Sequence, residues 1–119
     1  MSRNLSKPRA RSFKLQSGRC FYCGAPMWLE NPEAFAKRHG LSKGLVPLLK
    51  CTGEHLLPRS EGGDASQSNI VAACWHCNAT RHRAKHPLDP PAYKQRVGKR
   101  LRQGKWHPPA VRRLLGAAR

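Results

Sequence analysis

The sequence predicts a small α+β domain. Two short strands and a helix form its centre, one helix is inserted ahead of them, and two basic helices follow at the C-terminal end. Three observations predict it. Two Cys-x-x-Cys pairs, Cys20/Cys23 and Cys74/Cys77, stand on either side of a fifty-residue span. Within that span two strand-forming runs, Leu48 to Glu54 and Asn69 to Ala73, flank a loop carrying Gly62-Gly63, which supplies the backbone freedom needed to reverse the chain. Helix-start signals, Asn31-Pro32-Glu33 and Asp89-Pro90-Pro91, frame the rest.

A chain of 119 residues is one domain. A domain of this size buries about 65% of its unfolded surface, so its core is marginal and is commonly supplemented by a metal or disulfides. Charge sets the class of partner: 23 lysines and arginines face 6 acids, a net +17. Such a surface meets a polyanion, and the excess of arginine suits phosphate. Charge alone does not separate DNA, RNA and a membrane surface. No apolar run reaches the ~18 residues of a bilayer span. Met1-Ser2-Arg3-Asn4 does not lead into the apolar core of a secretory signal. A cytoplasmic protein is therefore expected, where thiols stay reduced and four paired cysteines favour a metal.

Residues 1–18 are polar and basic (Arg3, Lys7, Arg9, Arg11, Lys14) without a period, and read as a loose arm with at most a turn of helix near Phe13. Cys20-Phe21-Tyr22-Cys23-Gly24 has the form of a zinc knuckle. With Cys74 and Cys77 it completes a tetrahedral four-thiolate zinc site, structural because no coordination position stays open. The metal pins the knuckle to the start of a distant helix. Pro32 to His39 reads as a helix capped by Asn31 and stopped by Gly40, with Phe35 inward and His39 toward solvent. Ser42 to Pro47 connects to the first strand, in which Gly53 marks a close backbone approach and Cys51 reads as a small buried hydrophobe. After the return strand a helix runs from Trp75 to about Lys85 and ends before Pro87. In the next, Tyr93, Val97 and Leu101 share one face, and Lys94, Arg96, Lys99, Arg100 and Arg102 occupy the others. Gly104 ends it, and Pro108-Pro109 opens a last helix with Val111, Leu114 and Leu115. These two helices read either as packing with a solvated charged face or as a clamp on a phosphate backbone, and the net charge favours the clamp.

The stretch from Cys51 to His82 carries Glu54-His55, Pro58, Gly62-Gly63, Asn69, Cys74-x-x-Cys77 and Asn78, with fourteen positions from His55 to Asn69 and nine from Asn69 to Asn78. In these residues and spacings the chain resembles the HNH endonuclease family. The resemblance implies a ββα-metal (His-Me finger) core with a four-cysteine zinc site and a nuclease domain over residues 19–87; the residue pattern adds a basic arm over 1–18 and a basic helical extension over 88–119 packed on the same domain. The resemblance also implies metal-dependent hydrolysis of DNA, with 5′-phosphate and 3′-hydroxyl products. His55 would be the general base, since an imidazole is receptive near neutral pH. Glu54 and Asn78 would hold one divalent cation. His82, four residues after Asn78 on one helix face, would join them. Oxygen donors favour Mg²⁺ or Mn²⁺, and an imidazole extends the choice to Zn²⁺ or Ni²⁺. Asn69 would hold the base in place. Arg59, Arg81 and Arg83, with Lys99 and Arg100 of the extension, are candidate phosphate contacts. The expected partner is DNA, with RNA the less favoured; no membrane is involved, and the protein acts as a monomer or weak dimer. The competing class is a noncatalytic zinc-scaffolded nucleic-acid binder, which would not need Glu54, His55, Asn78 and His82 together. A Cys-x-x-Cys redox protein fits two distant pairs less well than one zinc.

Overall fold

Strand β1 (Cys51–His55) and strand β2 (Ile70–Cys74) form an antiparallel hairpin, with Cys51 opposite Cys74 and His55 opposite Ile70. The computed structural model describes residues 5–117, with side chains through Leu115. The arm residues Met1 to Asn4, Arg3 among them, lie outside the described residues. Around the hairpin stand helices α1 (Ser6–Leu15), α2 (Pro32–His39), α3 (Trp75–Arg83), α4 (Pro90–Arg102) and α5 (Pro109–Ala117). The architecture is α+β, and β1, β2 and α3 form its ββα centre. Among the described residues no helix is long and apolar enough to cross a membrane.

The cap signals act as the sequence predicts. Asn31 Oδ1 accepts from the Ala34 N–H at 3.0 Å, and Gly40 closes α2 in the left-handed region at φ 64°. Asp89 Oδ1 accepts from the Ala92 N–H at 2.9 Å, and Pro90 opens α4. Both devices satisfy amides that a helix start leaves unpaired. Tyr93 and Val97 of α4 and Val111 of α5 join the core made by the knuckle, α2 and the hairpin.

Two local expectations differ from the structure. The first strand begins at Cys51 rather than Leu48, because Val46–Leu49 winds into a 3₁₀ turn with Pro47 near its start, burying Val46 and Leu49 on one side. The larger difference is at the N terminus, where the expected loose arm is helix α1, docked on the hairpin. Phe13 packs against the core, and the rest of its anchoring is polar. Ser12 Oγ donates to the Ile70 carbonyl at 2.8 Å. The Gln16 side-chain amide pairs with the Ala72 backbone in both directions at 2.9 Å, as a neighbouring strand would. α1 also explains Gly53: a Cβ there would lie 3.3 Å from Leu5 Cδ1, so the glycine lets α1 approach β1.

Candidate metal centres and active site

The four knuckle cysteines are buried, and their sulfurs all lie within 4.8 Å of one another, with Cys23 and Cys74 at 3.9 Å. Tetrahedral zinc with Zn–S bonds of about 2.3 Å separates its sulfurs by about 3.8 Å, so the set fits a structural zinc ion. Backbone N–H groups of Tyr22 and Cys74 point at Cys20 Sγ at 3.3 and 3.2 Å, which suits a thiolate cluster. Two further donors escaped the sequence reading. Trp106 Nε1 donates to Cys77 Sγ at 3.2 Å, and His107 Nε2 lies 3.3 Å from Cys23 Sγ. Burial, with His76 beside it, pushes the His107 imidazole down to about 4. The chain between α4 and α5 is thereby tied to the cluster. Cys51 stands apart from it, buried in the core, where desolvation pushes its thiol up to about 12.

Glu54 is buried near the end of β1, at 3% exposure, and three side chains reach it. Tyr22 of the knuckle donates its hydroxyl to Oε2 at 3.1 Å, and Arg81 of α3 donates Nη1 to the same oxygen at 3.3 Å. His82 Nε2 stands 3.0 Å from Oε1. Burial, and then the charge of Glu54, push the Tyr22 phenol far above the ordinary range, so it remains a donor. One carboxylate oxygen is thus fixed by protein donors and the other faces an imidazole. His82 is 53% exposed, so this second side opens to solvent. An octahedral ion with bonds of about 2.1 Å places adjacent donors about 3 Å apart, so Oε1 and Nε2 fit two positions around one divalent cation.

Asn78 lies one helical turn before His82. Its Nδ2 donates to Thr52 Oγ1 at 3.0 Å and to the Gly53 carbonyl at 3.4 Å, which ties α3 to β1 and leaves Oδ1 as the amide atom to offer an ion. His55 is the last residue of β1, and strand alternation directs it away from the face of Glu54. Its Nε2 is buried without a hydrogen-bond partner among the described residues. Arg9 Nε, His107 Nδ1 and Arg112 Nε are in the same state, so this feature by itself assigns no role to His55.

Asn69 closes the loop after His55. Its Oδ1 accepts from the Leu57 N–H at 2.7 Å, and its Nδ2 donates to the carbonyls of Leu57 and Asp64 at 3.1 and 2.7 Å. The bridge therefore lands two residues beyond His55 rather than on its own backbone. Gly63 is required at the turn, since a Cβ would collide with the Leu57 carbonyl. Among the arginines, Arg59, Arg83 and Arg100 are exposed, as is Lys99. Arg81 differs: at 6% exposure it is turned inward, with Nε on the Leu88 carbonyl at 3.0 Å and Nη1 on Glu54. Its guanidinium serves the carboxylate and the chain after α3 rather than solvent. Tyr22 and Arg81 are the site residues that sequence reasoning missed or misplaced. Tyr22 sits between two cysteines, where any aromatic reads as knuckle filling. Arg81 belongs to a run of basic residues that gives no sign of which one faces inward.

Hairpin, following helix and four-cysteine frame together define a ββα-metal domain. The chain belongs to the HNH endonuclease family, whose family model matches residues 20–84. Neither the curated proteins nor the solved structures compared with the chain give a match.

Proposed function

We propose that the protein is a metal-dependent endonuclease that hydrolyses DNA phosphodiesters, with residues 19–87 as the nuclease unit and 88–119 as a basic extension. The observation that carries this reading is the approach of Glu54 Oε1 and His82 Nε2 to 3.0 Å in a chain of the HNH endonuclease family. Glu54, His82 and the Asn78 oxygen would hold the cation. A divalent ion there would supply charge neutralisation at phosphorus and assistance to the leaving 3′ oxygen. His55 is the general base, and because Nε2 is buried, we assign the proton transfer to Nδ1. Water gives its proton to Nδ1 as its oxygen bonds to phosphorus. The bond from phosphorus to the 3′ oxygen breaks, and that oxygen takes a proton from solvent. Asn69 fixes the backbone that follows His55. Arg59 and Arg83, both exposed, would meet flanking phosphates.

A second reading, a noncatalytic zinc-scaffolded binder, is favoured by the Arg81 guanidinium on Glu54 and by the Asn78 amide engaged with β1. One experiment separates the two. Plasmid is incubated with the zinc-loaded protein and Mg²⁺ or Mn²⁺, with and without His55→Ala. Nicking that vanishes in the variant while DNA binding persists is the expected result. Binding with no cutting under either metal, or under Zn²⁺ or Ni²⁺, assigns the protein to the second reading.

A further inference from the structure

Between α3 and α4 lies a cleft of about 340 Å³, lined from three directions. Its walls include Arg81 of α3, His86 of the connection, Arg96 and Arg100 of α4, and the aromatic residues Tyr93 and Trp106. Arg96 and Arg100 are four residues apart, so their side chains project from one flank of α4, beside the buried stripe of Tyr93 and Val97. No carboxylate lines the cleft, and neither arginine has a hydrogen-bond or ion-pair partner among the described residues. Two guanidiniums that line one recess with no carboxylate among its walls leave a positive charge that an anion would offset. The recess also adjoins the candidate active site. Arg81, one of its walls, reaches Glu54 at 3.3 Å and lies 3.4 Å from His82 Nε2.

We infer that this cleft seats a backbone phosphate of the DNA strand neighbouring the phosphodiester presented to His55, clamped by Arg96 and Arg100. The inference rests on the nuclease reading for which phosphate is cut, but the seat itself is a binding site and is tested without cutting. A guanidinium pair grips the phosphate through paired N–H donors, which lysines on the opposite flank of α4 do not reproduce. The seat would hold a second phosphate at a fixed offset from the Glu54/His82 pair. The basic extension then has a specific task, holding one phosphate in register, beyond general attraction.

The test measures binding of a labelled DNA duplex by fluorescence anisotropy across a salt series, with zinc-loaded protein and no other divalent cation. Arg96→Gln/Arg100→Gln is compared with Lys37→Gln/Arg38→Gln, an exposed basic pair on α2. Loss of one phosphate contact lowers the slope of log K against log salt by about 0.9. The cleft variant should show that reduction and weaker binding at every salt, while the α2 variant keeps the native slope. Equal reductions in both would mean that the cations act as a diffuse field, and the seat is then wrong. Saturable binding of inorganic phosphate lost in the cleft variant, with an unchanged DNA slope, would make this a small-anion site and also overturn the proposal. A cleft variant that loses DNA while the native chain cuts nothing sustains the seat and defeats the nuclease reading. An unchanged slope with a native chain that cuts does the reverse.

Discussion

The Tyr22 hydroxyl donates to Glu54 Oε2 at 3.1 Å, so a residue between two zinc-site cysteines holds the candidate catalytic carboxylate. The ring is itself held, standing edge-on to Tyr93 at 4.8 Å between centroids, and Tyr93 donates its hydroxyl to the Cys77 carbonyl at 2.6 Å. Tyr22→Phe keeps the packing and removes the donor. The expected result is Mn²⁺ affinity lower by about tenfold, the range for partners that orient metal ligands, with the four-cysteine zinc retained. Calorimetric titration of Mn²⁺ and metal analysis check both. Unchanged Mn²⁺ affinity would show that the phenol does not orient Glu54.

Arg81 and Glu54 form a buried ion pair. Removing one partner of such a pair leaves an uncompensated charge and costs about 3–5 kcal/mol. Arg81→Met should therefore unfold at clearly lower urea than the native chain. Because the variant leaves Glu54 without its guanidinium, added Mn²⁺ should raise its stability more than it raises that of the native chain. An equal response in the two proteins would place the cation away from Glu54.

Asn69→Asp keeps the acceptor for the Leu57 N–H and replaces the donor that serves the carbonyls of Leu57 and Asp64 with a second oxygen. The loop after His55 should shift. Displacement of a reacting group by about 1 Å costs on the order of a hundredfold in rate. Single-turnover cleavage should fall by that order while DNA affinity, read by anisotropy, stays within about twofold of the native value. A parallel loss of affinity would assign Asn69 to DNA binding.

Stripping the four-cysteine site should disorder more than the knuckle, since Trp106 and His107 bond to Cys77 and Cys23. A structural zinc contributes on the order of 10 kcal/mol. Chelation should release one zinc per chain, change tryptophan fluorescence and expose sites after Arg102 to protease. Cys77→Ser should behave like the stripped protein. Fluorescence and proteolysis that stay native after zinc release would show that the C-terminal helices dock without the cluster.

The parts of the fold written in local chemistry were legible in the sequence. Asn31, Asp89 and Gly40 act through their own backbone neighbours, and the cysteine pairs declare a site by spacing alone. Helix α1 was not legible, because its inward anchors are Ser12 and Gln16. A search for apolar periodicity passes over a helix that docks by hydrogen bonds. The candidate site divides in the same way. The cysteine frame was readable from spacing, whereas Glu54 with His82 and Asn69 were expected only through the family resemblance, and no local signal of their own marks them. The inward turn of Arg81 depends on the Leu88 carbonyl and a buried carboxylate, both supplied by tertiary packing, and nothing in the run Arg81-His82-Arg83 encodes it.

The Gln16 amide on Ala72 has a further consequence. A hairpin of two strands presents its outer rims to any other extended chain, and such rims are where copies of a protein stack into aggregates. Here a glutamine head group occupies one rim, and the Asn78 amide meets the Gly53 carbonyl on the other. The extended backbone of another copy then meets those rim positions already paired.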